Sequence, residues 1–251
     1  MKQFFITDRG KVRKQNEDAV GLFENRANQT LAVVADGMGG HKAGDVASEI
    51  ARSYFSDQWQ ATDKLTSAEE AEEWLDDRIR LANQKVYRYA KENPDCQGMG
   101  TTVIAAIFLE DEISIAHIGD SRCYLLTDEL KQVTEDHSLV NELVRAGEIT
   151  EKEAIVHPRK NVLMKALGTD ESIAPDVFTI EWQEGNRFLI CSDGLSDKLS
   201  NSELVNFLAK DLTVEKIAVN LVDRANELGG EDNITVVLVE YIKGEAGDSS
   251  C

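Results

Sequence analysis

Four aspartates stand at the ends of apolar runs: Asp36 closes LAVVAD before Gly37, Asp120 closes ISIAHIGD, Asp193 closes RFLICSD before Gly194, and Asp232 in GGEDN immediately precedes ITVVLV. A carboxylate at the end of a buried strand is partly desolvated, which is costly unless something compensates its charge. Any one of them alone reads most simply as a turn or helix-cap aspartate. Caps do not explain four such placements at core-strand ends. If those ends converge, the carboxylates raise one another's pKa, and divalent cations would remove the repulsion. An oxygen-only ligand set selects hard ions, Mg²⁺ or Mn²⁺, over zinc or copper. Arg13, in GKVRKQNEDA, lies just before the acidic pair Glu17 and Asp18. A guanidinium fork beside such a site suits a phosphate dianion, to which it can donate two parallel hydrogen bonds.

The elements that must position these groups are legible from periodicity. Short apolar, β-branched runs at 30–35, 102–109, 113–118, 188–191 and 234–239 predict strands buried on both faces. Only Glu110, Asp111 and Glu112 separate the second run from the third, and the next strand is expected just after Gly119-Asp120-Ser121-Arg122. Connections this short predict antiparallel hairpins. Helical spacing fills 43–60 and 67–92, and Val214, Ile217, Ala218, Leu221, Val222, Ala225 and Leu228 form an apolar stripe within a second helical region at 201–228. The expected class is α+β: a four-layer α/β/β/α sandwich of two antiparallel sheets flanked by helix pairs. Residues 138–168 carry helical patches without a strand signal and read as an inserted flap.

The chain has 251 residues, 42% of them hydrophobic, without a linker-like or repetitive stretch. One domain over 1–242 is expected, followed by a disordered tail at 243–251. A net charge of −19, from 46 acidic against 27 basic residues, argues against nucleic-acid or membrane partners. No apolar stretch approaches the ~20 residues of a membrane span, and MKQFFITDRGK lacks a signal-peptide apolar region. Cys96, Cys123, Cys191 and Cys251 fit no zinc spacing, and Cys123 and Cys191 sit in apolar runs as expected of buried reduced thiols. Together these features read as a cytoplasmic protein.

VVADGMGGHKAG, GMGTT (98–102), HIGDSR, TEDHS (134–138), CSDGLSD and GGEDNITVV occur in the order found in the type 2C metal-dependent protein phosphatases. Over about 3–241 the sequence resembles their bacterial serine/threonine branch. The resemblance implies hydrolysis of phosphoserine and phosphothreonine in phosphorylated proteins, opposing a cognate serine/threonine kinase, with two tightly held Mn²⁺ or Mg²⁺ ions and a third, weaker one. It implies that Asp36 bridges two metals, that Asp193 and Asp232 complete one, and that the Gly37 carbonyl binds the other. Arg13 and Asp36 would be the catalytic residues, Arg13 by holding the phosphate. Glu17, Asp18 and Asn233 would act from behind the direct ligands, and Asp120 with Asp193 would hold the third metal. A metal pair lowers the pKa of water between the ions and neutralises phosphoryl charge, so no covalent phosphoenzyme is needed. Arg145, Arg159 and Lys160 of the flap, basic in an acidic protein, would guide phosphoproteins; Arg159 and Lys160 are the residues expected to meet substrate.

One departure concerns the proton donor. Animal members carry histidine directly after the DG pair, and here that position is Met38; His41, His137 and His157 could substitute, but a metal-bound water is the preferred donor. Two rival chemistries fail on the residues: Cys191 is followed by SDGLSDK and not by an arginine-ended loop, and a dinucleotide turn beginning at Gly37 would need glycine at Lys42. The alternative from another class is a catalytically dead or single-partner regulatory relative serving as a binding scaffold.

Overall fold

The strands that read as continuously apolar do so because each is covered on both faces. In the computed structural model, which describes residues 1–39 and 43–242, Val103–Phe108 is buried along its whole length. Its even members Ile104, Ala106 and Phe108 enter one core, and its odd members Val103, Ala105 and Ile107 enter another. The period of two thus divides one apolar run between a sheet–sheet and a sheet–helix interface. The strand Ile234–Glu240 behaves likewise: Val237 and Val239 face the sheet–sheet core, while Ile234, Val236 and Leu238 face the helices.

One sheet contains β1 (Lys2–Asp8), β7 (Arg122–Leu126), β8 (Leu130–Gln132), β10 (Arg187–Cys191) and β11 (Ile234–Glu240), in the spatial order β1-β11-β10-β7-β8. The other contains β2 (Asp18–Glu24), β3 (Thr30–Met38), β5 (Val103–Phe108), β6 (Glu112–Ile118) and β9 (Asp176–Glu181), in the order β2-β3-β5-β6-β9, with β4 (Gly100–Thr101) paired to the end of β3. Every pairing within the sheets is antiparallel. Helices α1 (Gly44–Gln60) and α2 (Ala68–Glu92) cover the second sheet, with Phe55, Trp59, Leu75 and Ile79 against Leu31, Val33 and Ile107. The buried Trp59 indole donates to the carbonyls of Phe23 and Gln29, both at 3.1 Å, so its one polar atom is satisfied. The first sheet is covered by α6 (Asn201–Leu208) and α7 (Val214–Glu227), whose apolar stripe packs on Leu189, Val236 and Leu238. Ser67, Ser200 and Thr213 cap α2, α6 and α7 through their hydroxyls. The four-layer expectation therefore holds.

One expectation does not. The turn at Gly119–Ser121 is no hairpin: β6 lies in one sheet and β7 in the other. Gly119, at φ +107°, redirects the chain across the sandwich, and a Cβ there would strike the Thr102 side chain, so only glycine makes this crossing without strain. Hairpin logic counts only connection length; here each strand finds better partners elsewhere, β6 with β5 and β9, β7 with β10 and β8.

The flap leaves and rejoins the sandwich at a narrow base. It contains α3 (Leu139–Arg145) and α4 (Glu151–Ile155), and its ends meet where Ser138 bridges to Leu163. The tail expected at 243–251, and the positions of Gly40, His41 and Lys42, lie outside the described residues. Among the described residues, Cys96, Cys123 and Cys191 are free thiols, the last two fully buried, and no helix is long and apolar enough to cross a membrane.

Candidate active site

At one end of the sandwich the sheet–sheet core changes from apolar to acidic without a change of strand face. On β3 the inward row runs Ala32, Val34, Asp36; on β2 it runs Val20, Asp18; on β10 it runs Phe188, Ile190 and then Ser192. Asp18 and Asp36 are direct cross-strand partners. Two like charges so placed are destabilising in water and more so when buried.

The Asp18 carboxylate accepts from Ser192 Oγ at 2.8 Å and Thr235 Oγ1 at 2.6 Å through Oδ2. Its Oδ1 is buried with no hydrogen-bond partner. Burial pushes Asp18 up to about 6, against the two hydroxyl bonds, with the charge of Asp232 adding to the rise. Asp36 is raised well above the usual carboxylate range, first by burial and then by Asp18, Asp193, Asp120 and Asp232. Asp193, which opens α5 (Asp193–Ser196), is raised by burial and by Asp120, Asp232, Asp197 and Asp18. Asp120 reaches about 6 through burial and the charges of Asp136 and Asp197, partly opposed by Arg122. The charges of Asp18, Asp120, Asp193 and Asp232 thus all act on Asp36, so the four strand-end aspartates and Asp18 gather at one end of the sandwich.

A loop over residues 9–17 closes one side of this cluster. Asn233 holds it: its Oδ1 accepts the Glu17 amide at 2.8 Å, and its Nδ2 donates to the carbonyls of Arg9 (2.9 Å) and Gln15 (3.0 Å). Gly10 permits the fit, because at φ +74° a side chain would run into the Asp232 carbonyl. Arg13 Nη2 donates to Asp232 Oδ2 at 2.7 Å, with the Arg13 side chain 49% exposed. Glu17, raised by burial and partly offset by Arg13, lies beside Gly44, where an added Cβ would also meet the Gly37 carbonyl. The Gly37 amide donates to the Glu17 carbonyl at 3.1 Å, and a side chain at Gly37 would strike Gly44. The Gly37 carbonyl and the Glu17 carboxyl thus share one corner.

On the opposite side, Thr102 and Ser121 link the strands behind Asp36 and Asp120. Thr102 Oγ1 accepts the Asp36 amide at 3.0 Å and lies 2.8 Å from Ser121 Oγ. Arg122 forms a two-pronged bond to Asp136, Nε to Oδ1 at 2.9 Å and Nη2 to Oδ2 at 2.7 Å. Sequence reasoning overlooked Ser192, Thr235, Thr102 and Ser121, since nothing marks a strand hydroxyl as functional before the strands are assembled. Asp197 was overlooked with more excuse to find it: one turn after Asp193 in CSDGLSD, it donates its amide to the Asp193 carbonyl at 2.8 Å.

The flap cations separate. Lys160 Nζ reaches Asp197 Oδ2 at 2.6 Å, bringing the flap to the rim of the cluster. Arg145 stays with its neighbours Glu142 (3.4 Å) and Glu135 (3.9 Å), and Arg159 is exposed. His157 Nδ1 accepts the Arg159 amide within the flap, and the His117 ring is buried and stacked on His137.

The donor set fits hard cations: carboxylate oxygens crowded enough to oppose one another's ionisation, an orphaned Asp18 oxygen, and a backbone carbonyl held in a glycine-only approach. Asp36, Asp193, Asp232, Asp120 and the Gly37 carbonyl are the groups that could take them.

Comparisons with known proteins agree with this chemistry. The family profile described as Protein phosphatase 2C matches residues 9–224. The chain is 48% identical over 237 residues to the serine/threonine phosphatase stp of Listeria monocytogenes, covering 94% of each chain. The crystal structure of the serine/threonine phosphatase Stp1 from Staphylococcus aureus superposes with a TM-score of 0.92 at 39% identity, covering 96% of this chain and 95% of that one. The catalytic domain of the serine/threonine protein phosphatase PstP, solved in complex with two manganese ions, superposes with a TM-score of 0.84 at 35% identity over 96% of this chain and 98% of that one. With family-specific motifs on strands that deliver them to one acidic cluster, the chain belongs to the protein phosphatase 2C family.

Proposed function

We propose that this chain hydrolyses phosphoserine and phosphothreonine in phosphorylated proteins with Mn²⁺ or Mg²⁺, and that it opposes a serine/threonine protein kinase in the cytoplasm. The observation that carries this reading is the convergence of Asp18, Asp36, Asp120, Asp193 and Asp232, with burial raising the first four and repulsion within the group adding to the rise at Asp18, Asp36 and Asp193. A scaffold protein would have no reason to retain so unfavourable a cluster. Residues 1–242 act as one catalytic domain, with 138–168 as its flap.

Asp36, Asp193, Asp232 and the Gly37 carbonyl hold the two tight ions, and Asp120 with Asp193 holds a weaker third. When bound, these ions acidify water and neutralise phosphoryl charge. Asp18, fixed by Ser192 and Thr235, and Glu17, fixed by Asn233 through its amide, orient solvent in the site. Arg13 exchanges its bond to Asp232 for the substrate phosphate, offering two parallel N–H donors from a loop that Asn233 and Gly10 keep in place. Met38 has no proton to give, so the leaving oxygen takes its proton from water.

The test is hydrolysis of phosphoserine, phosphothreonine and phosphotyrosine peptides with and without chelator. Activity on the first two that vanishes on chelation and returns with Mn²⁺ supports the reading. Full activity of the metal-free protein, or none on any phosphopeptide at saturating Mn²⁺, would overturn it.

A further inference from the structure

Gly119 is an unusual place to hang a ligand. It has no side chain to anchor it, it sits at φ +107°, and the residue it presents is Asp120. A glycine turn is intrinsically loose, so its order must come from outside. On one flank the Thr102–Ser121 hydroxyl contact supplies it. On the other, His137 makes a reciprocal pair: its backbone amide donates to the Gly119 carbonyl at 2.9 Å, and its Nδ1 accepts the Gly119 amide at 3.2 Å.

His137 is also where the flap is rooted. Its carbonyl accepts the Met164 amide at 2.8 Å, the Leu139 amide donates to the Val162 carbonyl at 2.8 Å, and Ser138 bridges to Leu163. Both ends of the flap therefore close on the residue that grips the Asp120 turn.

The ring is held in place for this task. It is buried, stacked on His117 with centroids 4.8 Å apart and planes 11° apart, and its Nε2 lies 3.4 Å from Asp176 Oδ1. Asp176 faces His117 across the β6–β9 pair. Because Nδ1 accepts from Gly119, the proton of the neutral ring sits on Nε2, facing Asp176. Potential ligand atoms of His117, His137 and Asp176 all lie within 4.8 Å of one another, but this trio is no metal centre. Nδ1 of His137 is engaged, its Nε2 is protonated, and two parallel rings cannot aim in-plane lone pairs at one ion.

We propose that His137 is a positioning residue for Asp120, gripping Gly119 from the base of the flap and so setting the affinity of the weaker cation site. This rests on Asp120 being a ligand of that site, as read above. Partners behind a metal ligand commonly change affinity by about ten- to a hundredfold when removed, and a site with few protein ligands depends most on their preorganisation.

The experiment combines Mn²⁺ binding, counted by electron paramagnetic resonance, with hydrogen exchange of the 119–121 amides in the metal-free protein. His137→Ala should speed exchange at Gly119 and weaken the loose site by about tenfold or more, leaving the two tight sites unchanged. His137→Asn, whose Oδ1 falls near the position of Nδ1, should restore most of both. His137→Gln, which places no acceptor there, should not, and the Asn–Gln contrast decides the matter if the alanine variant fails to fold. In an Asp120→Ala background, His137→Ala should have no further effect on Mn²⁺ binding. Wild-type exchange and wild-type loose-site affinity in His137→Ala, or Asn and Gln variants that behave alike, would overturn the proposal. Retention of the loose site in Asp120→Ala would instead sink the assignment of Asp120, and that result requires no change at His137.

Discussion

The hydroxyls of Thr102 and Ser121 meet at 2.8 Å across the boundary between two sheets. Thr102 Oγ1 also accepts the Asp36 amide, at 3.0 Å, and a hydroxyl can take part in both bonds at once. The strand carrying Asp36 and the turn carrying Asp120 are thus joined by one side chain. Thr102→Val keeps the shape and removes the oxygen, leaving the Asp36 amide without its side-chain acceptor at a cost of about 1–3 kcal/mol. Thermal unfolding should shift down by several degrees and Mn²⁺ affinity should fall, with Thr102→Ser close to wild type. A valine variant equal to wild type in both measurements would make the contact incidental.

The acidic cluster predicts opposite effects on stability and function. Asp36→Asn, Asp193→Asn and Asp232→Asn should each lower turnover by orders of magnitude and weaken Mn²⁺ binding in titration calorimetry. Asp36→Asn should also raise the melting temperature of the metal-free protein at pH 7.5, since it removes a half-buried charge opposed by Asp18, Asp193, Asp120 and Asp232. Unchanged Mn²⁺ affinity in all three variants would refute their role as ligands.

The pH dependence has a definite sign. Asp18 and Asp120 rise from an ordinary value of 3.8 to about 6. Between those values the folded chain binds more protons than the unfolded one, so metal-free stability falls as pH rises through that window, by on the order of 2–3 kcal/mol per such group. His117, lowered to about 4 by burial, acts the other way, adding stability as pH rises from about 4 towards 6.5. The His117 contribution is common to metal-free and metal-loaded protein. The melting shift on adding Mn²⁺ therefore isolates the carboxylates, and it should be larger at pH 7.5 than at pH 5. Equal shifts at the two pH values would contradict this account.

Arg13→Ala should raise KM for phosphopeptides, with kcat/KM falling about ten- to a hundredfold for loss of a charge-assisted bond of about 1.5–3 kcal/mol. Arg13→Lys should recover only part, because it keeps the charge and loses the fork. Wild-type kcat/KM in Arg13→Ala would remove Arg13 from the site.

Lys160 at Asp197 places a flap cation on the rim of the cluster. Replacing Arg159 and Lys160 with serine should reduce phosphoprotein turnover more than turnover of p-nitrophenyl phosphate. Equal losses on both substrates would make the flap a structural element only.

Local pattern alone determined a good deal of this protein. Continuous apolar runs announced strands covered on both faces, helical stripes announced the outer layers, and acidic residues at the ends of Ala32–Val34 and Phe188–Ile190 marked where the core stops. Those features are legible because burial acts on each segment separately, with a period of two or of 3.6 residues. Other features depend on which strands become neighbours. The crossing at Gly119 required knowing that β6 and β7 pair in different sheets. Asp18 met Asp36 only through the β2–β3 register, and Ser192 and Thr235 became its partners only when the sheet holding β10 and β11 was stacked on the sheet holding β2. Thr102, Ser121 and His137 carry no local sign of their roles, because a hydrogen bond between residues 18 or 19 positions apart is decided by assembly and not by spacing.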